Sequence, residues 1–187
     1  MKQELLIGIT DSGVMHTDVD PLIPLDTKFQ MVKESGVYDY FDKTPPLEME
    51  EDYRRCSKKY ELPILAGGWF YVLGRDEDLL MENLRLGARL GSLVHNTQII
   101  MDHQDGSLVS DEQVVEIYLR AYETGEACGC RPTFEVHVNM WSEDFRRIEK
   151  VADVVEKQGI PFRMTLDHSH VIFKIDNPRE QEVFNIR

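Results

Sequence analysis

The sequence predicts an α/β protein with a parallel sheet, because strand-like and helix-like segments alternate about six times along its 187 residues. With 42% hydrophobic and 29% charged residues, its composition is that of an ordinary globular chain. Ionisable side chains also follow several of the predicted strands, at the ends where barrel enzymes collect their functional groups. These patterns predict one α/β domain over residues 1–187.

Six segments carry the apolar, β-branched or aromatic residues typical of strands. They cover residues 5–10, 37–41, 63–72, 93–101, 133–140 and 162–166. In the third segment, Gly67 and Gly68 indicate a bulge or a close approach by another group. The fifth alternates apolar and polar residues, which places Glu135 and His137 on one face of the strand.

Helices separate these strands, since apolar residues recur there at intervals of three and four. The predicted helices cover residues 26–35, 48–60, 76–91, 111–124 and a fifth segment that runs up to residue 159. Ser110 and Gln113 form a capping box that begins the fourth helix, which Gly125 is expected to end. Ser142 is expected to cap the fifth helix.

Charge and cysteine content exclude several classes of function. The 34 acidic residues outnumber the 21 basic ones, and the net charge of -13 argues against nucleic acid or an anionic membrane surface as a partner. The apolar run at residues 5–9 is far shorter than the roughly 20 residues that span a bilayer. Three cysteines, an odd number, indicate reduced thiols and hence a cytoplasmic protein.

Nucleotide-binding motifs are also missing, since neither a G-x-G-x-x-G fingerprint nor a phosphate-binding loop occurs. An open doubly wound sheet and an incomplete barrel both remain compatible with the alternating pattern. Polar residues after several successive strands favour the barrel, whose enzymes use that edge. These residues are Asp11, Trp69, His103, Glu135, His137, Asp167 and His170.

Carboxylates and imidazoles that meet in one place are typical of a divalent-metal site. If the fifth and sixth strands are neighbours, Glu135 and Asp167 converge, and with an imidazole they favour manganese, magnesium or zinc. The structural alternatives are an exposed edge position for Glu135 and hydrogen-bonded structural roles for His137 and His170. His168 is expected to turn away from Asp167, while His16 and His95 are expected to be structural.

Two short motifs resemble those of the xylose isomerase-like TIM barrels, the sugar phosphate isomerase/epimerase superfamily that also contains the endonuclease IV enzymes. Glu135-Val136-His137 matches a Glu-x-His pattern at the end of strand five, and residues 167–170 match an Asp-x-x-His pattern at the end of strand six. The resemblance implies that Glu135 and Asp167 bind the metal and that His170 contacts substrate. Glu135 and His137 are then the candidate acid/base residues.

Trp69 and His103, which also follow predicted strands, are further candidate substrate-binding residues. The resemblance implies a (β/α) barrel of which this chain supplies about six of the eight units. In that family a His from strand seven and a Glu from strand eight complete the metal site, and residues 1–187 contain neither strand. We therefore expect a domain that is incomplete at its C-terminus, or a homo-oligomer or second chain that closes the barrel.

The function that the resemblance implies is a divalent-metal-dependent sugar or keto-sugar isomerase or epimerase, with manganese preferred and magnesium or zinc as alternatives. Its chemistry would be metal-assisted proton transfer on a small sugar. A lyase that eliminates a group β to a carbonyl in a keto-sugar and a non-catalytic barrel subunit remain open as alternatives. Abasic-site endonuclease activity fits the fold but not the net charge of -13.

Overall fold

The computed structural model describes residues 5–14 and 23–173, which contain a parallel sheet of six strands. Each strand pairs with its neighbours in the sequence, so the order in the sheet is the order in the chain. The strands are β1 (Gly8–Thr10), β2 (Tyr40–Asp42), β3 (Ile64–Tyr71), β4 (Val94–Ile99), β5 (Arg131–Val136) and β6 (Met164–Leu166).

Helices connect the strands, as parallel pairing requires. They are α1 (Leu25–Ser35), α2 (Glu50–Tyr60), α3 (Glu77–Leu90), α4 (Asp111–Cys128), α5 (Phe145–Glu156) and α6 (His168–Phe173). Within residues 5–14 and 23–173, none of these helices has both the length and the apolar character that crossing a bilayer requires.

The strand order distinguishes between the two architectures that the sequence left open. A doubly wound sheet reverses its strand order at a switch point, whereas the strands of a barrel follow one another around an arc. Here the order runs from β1 to β6 without reversal. The sheet is therefore part of a barrel, which confirms the predicted fold class.

Two apolar clusters hold the helices against the sheet. In the first, the rings of Phe29 in α1 and Phe41 in β2 stack with their centroids 4.3 Å apart. In the second, Tyr118 of α4 meets Phe134 of β5 edge to face at 5.1 Å. Because alternate strand residues fill these clusters, the residues between them face the inside of the arc.

His95 belongs to a buried polar network on the helix-facing side of β4. Its Nδ1 lies 3.2 Å from Thr44 Oγ1 and its Nε2 lies 2.7 Å from the Tyr71 hydroxyl, which also accepts a hydrogen bond from Asn83. Complete burial lowers the pKa of His95 to about 3, so the ring is neutral. His95 thus has the structural place expected for it, while His16 lies outside the described residues.

The two glycines of β3 are sites of close approach, as the sequence predicts. A Cβ atom on Gly67 would lie 2.8 Å from the backbone nitrogen of Thr44. A Cβ on Gly68 would lie 3.0 Å from the carbonyl oxygen of Asn96 and 3.1 Å from its Cβ. The absence of side chains at these two positions lets β3 pack closely against its neighbours.

The predicted strand 133–140 and the predicted cap of the fifth helix were wrong in detail. β5 ends at Val136, and Asn139 has a φ of 60°, a left-handed conformation that breaks the extended chain. Asp144, not Ser142, caps α5 by accepting a hydrogen bond from the backbone of Arg146 at 3.0 Å. The Ser142 hydroxyl instead donates to the carbonyl of Glu135 and fastens the turn to the strand end.

The predicted end of the fourth helix at Gly125 was also wrong. α4 continues to Cys128, and Gly129, with a φ of 88°, ends it. Gly125 is a packing residue, because a Cβ there would lie 2.6 Å from both the carbonyl oxygen of Cys130 and the Cδ of Pro132. The glycine therefore allows α4 to approach the start of β5.

Replacing Gly125 with alanine is expected to destabilise the protein by about 1–3 kcal/mol, because overpacking outweighs the gain in helix propensity. Chemical denaturation measures the change. The matched control is Gly129→Ala, because a Cβ there would meet nothing within 4 Å. This variant should lose only about 1 kcal/mol of stability, the cost of the positive φ for a residue other than glycine. A Gly125→Ala variant as stable as the wild type would contradict this account of the α4–β5 contact.

Candidate metal centre

Three potential metal ligands meet at the carboxyl ends of β5 and β6. Glu135, Asp167 and His170 each offer one ligand atom, and these atoms lie within 4.8 Å of one another. In residues 5–14 and 23–173 this is the one such group of three or more. Two carboxylates and an imidazole form a donor set that suits a divalent cation.

Backbone pairing explains how these side chains come together. β5 and β6 are parallel neighbours, with Glu135 paired to Thr165, so Asp167 follows at the same end of the sheet. α6 begins directly after Asp167, and its first turn places His170 next to the Asp167 carboxylate. The Nε2 atom of His170 lies 3.5 Å from the Oδ2 atom of Asp167.

Glu135 occupies an interior strand, not an exposed edge, and is only 6% exposed. The Nδ2 of Asn96 donates a hydrogen bond of 2.5 Å to its Oε2, and the Nε2 of Gln98 donates to the same oxygen. A buried carboxylate is costly without such partners, and a nearby cation reduces the cost further. The carboxylate is thus held at a fixed place beside Asp167.

Asp167 is half-buried and accepts two hydrogen bonds at Oδ1, one from the backbone of Ser169 at 2.8 Å and one from its hydroxyl at 2.6 Å. Burial acts to raise the pKa of Asp167, but the bonds from Ser169 and the nearby His170 outweigh it and lower the pKa below its ordinary value. Asp167 is therefore ionised at neutral pH, the state in which a carboxylate binds metal.

His137 stands next to this cluster. Its ring centroid lies 3.6 Å from that of His170, with 35° between the ring planes. The Nδ1–H of His137 donates to the carbonyl of Val138 at 2.7 Å, which leaves Nε2 with the free lone pair. The rings of Phe70 and His137 are nearly perpendicular, with their centroids 6.1 Å apart.

A cavity of about 360 Å³ adjoins Glu135, since Asn96 and Gln98 contact the carboxylate and also line the cavity. Trp69, 38% exposed, forms one wall. The other lining residues are Thr10, Ser12, Asp42, Lys43, Gly68 and Phe70. An aromatic wall beside hydrogen-bonding groups suits a polyhydroxylated ligand.

Charged groups of both signs surround this cavity. Lys43 Nζ lies 3.6 Å from Asp11 Oδ2 and 6.0 Å from the centre of the Trp69 ring. Asp11 also pairs with Lys28 at 2.8 Å. Burial and the nearby charge of Glu135 raise the pKa of Asp42. The lysines are thus balanced by carboxylates.

His103 lies apart from this group. It lines a different cavity, of about 150 Å³, together with Glu77, Glu116 and Arg120, and its Nδ1 lies 3.0 Å from Asp105. The structure therefore brings Trp69, Glu135, His137, Asp167 and His170 to one region but not His103. His168 is exposed at the start of α6.

Sequence reasoning missed Asn96, Gln98, Asp42 and Lys43. A signal for the first two was present, because β4 reads His-Asn-Thr-Gln, a run of polar residues inside a strand otherwise formed by apolar ones. Such a run alternates between two faces. Polar side chains on the inner face near the carboxyl end of a barrel strand lie where these barrels collect their functional groups.

No protein-family profile and no curated protein sequence matches the chain. Solved structures do match. A 3-keto-D-glucoside 4-epimerase from E. coli has a TM-score of 0.67 and 14% identity, over 97% of this chain and 75% of the epimerase. A D-allulose 3-epimerase from Methylomonas sp. has a TM-score of 0.68 and 13% identity, over 94% of this chain and 67% of the epimerase.

A third similar structure is the IOLI protein with a binding zinc atom, at a TM-score of 0.60 and 13% identity. That match covers 84% of this chain and 62% of IOLI. At such low identity these similarities concern the fold. The chain therefore has the fold of the xylose isomerase-like TIM barrels, as its two motifs predict, and forms six consecutive βα units of it.

Proposed function

We propose that this protein is a divalent-metal-dependent sugar or keto-sugar isomerase or epimerase. The observation that carries the proposal is the group formed by Glu135, Asp167 and His170, with His137 beside it and the cavity walled by Trp69 next to it. The epimerases among the similar structures support the same class of reaction.

Glu135, Asp167 and His170 would hold the metal. The zinc atom in the similar IOLI structure supports a divalent ion, and the oxygen-rich donor set favours manganese over zinc, with magnesium as a further alternative. When bound, such an ion polarises the oxygens of a sugar and acidifies the adjacent C–H bond. The motif implied that His170 contacts substrate, whereas its position in the group of three favours a ligand role.

Proton transfer then falls to side chains in or beside the group of three ligands. His137 has its Nδ1–H fixed on Val138, so its Nε2 is the atom that takes a proton from carbon. Glu135 is the second acid/base candidate, since its carboxylate is bound by Asn96 and Gln98, which line the cavity. Trp69 would pack against the apolar face of the sugar, and His103 takes no part.

The charges around the cavity favour an uncharged sugar. Lys43 is paired with Asp11, and Asp42 adds a further carboxyl group to the wall. A phosphate group would have to displace Asp11 from Lys43 and approach Asp42. Hydroxyl groups, in contrast, can donate to Asp42 and accept from Lys43 and Gln98 without either cost.

The first test is the metal content per chain of protein purified without chelator or histidine tag, measured by plasma mass spectrometry. We expect nearly one divalent ion per wild-type chain, loss of that ion in Glu135→Gln, and retention in Glu149→Gln, an exposed residue of α5. Metal that stays in Glu135→Gln would contradict the assigned site.

The second test is conversion of a panel of aldoses, ketoses and keto-glycosides by the metal-loaded protein, followed by NMR. Isomerisation or epimerisation conserves the mass of the sugar, whereas elimination releases a fragment and would assign the protein to the lyases. A panel that remains unconverted by metal-loaded protein would contradict the catalytic proposal.

A further inference from the structure

We propose that Asn96 and Gln98 form an amide clamp that decides which oxygen of Glu135 faces the metal. The clamp consists of the two side-chain amides of β4 that donate to Glu135 Oε2. This inference rests on the proposed function, because it assigns a task to residues that surround the proposed ligand. Asn96 and Gln98 act through Glu135, so both are positioning residues.

Strand register places the clamp. β4 and β5 are parallel, with Asn96 paired to Thr133 and Thr97 to Phe134, so Gln98 follows beside Glu135. Asn96 and Gln98 are two residues apart and share the inner face of the arc, while Thr97 between them is buried on the other face. Both amides therefore reach one carboxylate oxygen from the same neighbouring strand.

Two donors on one oxygen fix the rotation of a carboxylate. With Oε2 held by both amides, Oε1 is the oxygen left to bind a cation together with Asp167 and His170. An amide suits this task better than a lysine or arginine would, because it carries no charge that would repel the cation. Outer contacts of this kind orient metal ligands and tune the affinity of metal sites.

The oxygen of the Asn96 amide indicates that the clamp is not merely structural. Among the described residues Asn96 Oδ1 is buried and has no hydrogen-bond partner. A buried acceptor without a partner is unfavourable, and rotating the amide would set this oxygen against the Glu135 carboxylate. The amide therefore gives up one hydrogen bond to keep Nδ2 on Glu135, as expected where positioning the carboxylate matters more than stability.

The test removes each donor and measures the dissociation constant of Mn²⁺ alone by calorimetry. In Gln98→Met and Asn96→Leu, which keep the approximate size of the side chain, we expect binding to weaken about 10–100-fold. Thr97→Val is the matched control, since it lies between them on the opposite face, and its affinity should equal that of the wild type. Circular dichroism and thermal melting identify folded variants.

A second measurement separates positioning from general loosening. Co²⁺ loaded to saturation gives a visible absorption spectrum that depends on the ligand arrangement. We expect the spectrum to change in Gln98→Met and Asn96→Leu but not in Thr97→Val. Three results would each overturn the clamp but not the proposed function: unchanged Mn²⁺ affinity in Gln98→Met and Asn96→Leu, an unchanged Co²⁺ spectrum in them, or equal weakening in Thr97→Val. A wild-type protein that binds neither ion would overturn the proposed function as well.

Discussion

Replacing His137 with glutamine is expected to lower kcat about 10²–10⁴-fold, the usual contribution of a positioned general base. Glutamine keeps a donor for the Val138 carbonyl but has no nitrogen that can take a proton at neutral pH. KM should change much less, because His137 would act on the reacting C–H bond and not on the bulk of the sugar. Steady-state kinetics on the sugar found in the panel measures both constants.

The matched control is His168→Gln, the same substitution on an exposed histidine at the start of α6, which should retain wild-type kcat. Proton abstraction can also be followed alone, by exchange of the sugar C–H for deuterium in D₂O. Exchange and turnover should fall together in His137→Gln, and added imidazole should partly restore both in His137→Ala. Unchanged kcat in His137→Gln would assign the base elsewhere, with Glu135 next.

Replacing Asp167 with asparagine is expected to weaken divalent-metal binding by more than the roughly 10–100-fold typical of changes to outer contacts, because a ligand itself is lost. Asparagine keeps the size and one oxygen but removes the charge. Asp153→Asn removes an equal charge from an exposed residue of α5 outside the group of three ligands, and is expected to leave affinity unchanged. Equal affinity in Asp167→Asn and wild type would remove Asp167 from the site.

The lowered pKa of Asp167 also sets a pH dependence. The folded state holds this carboxylate ionised to lower pH than the unfolded chain does, so its contribution to stability is present above the unfolded pKa and is lost as pH falls through the folded one. Metal affinity should fall over the same acidic range. Ser169→Ala removes the hydroxyl that donates to Oδ1 of Asp167. In this variant the loss of metal affinity on acidification should therefore begin at a higher pH.

The parallel sheet and the two carboxylates were predictable because both depend on local patterns. Alternating strand and helix periodicity requires parallel pairing, and the order from β1 to β6 confirms it. The spacing within residues 135–137 and 167–170 fixes which side chains follow each strand. Once β5 and β6 are neighbours, Glu135 and Asp167 have to converge.

Contacts that depend on register between distant segments were not predictable. Asn96 and Gln98 reach Glu135 only because β4 and β5 pair as they do, and an amide carries no motif of its own. Gly125 reads as a helix terminator in the sequence, yet its neighbour Cys130 makes it a packing residue within α4. Ser142 has the chemistry of a helix cap but finds a partner in the Glu135 carbonyl.

Gly68 limits where the cavity beside the proposed metal centre can be altered. Any side chain there would press on the backbone and Cβ of Asn96, and would thereby move an amide that holds Glu135. Enlarging or narrowing the cavity at Gly68 would therefore disturb the proposed metal centre as well as the shape of the cavity. Lys43 and Trp69 line the same cavity and do not belong to the amide clamp, so redesign of the cavity should begin with these two positions.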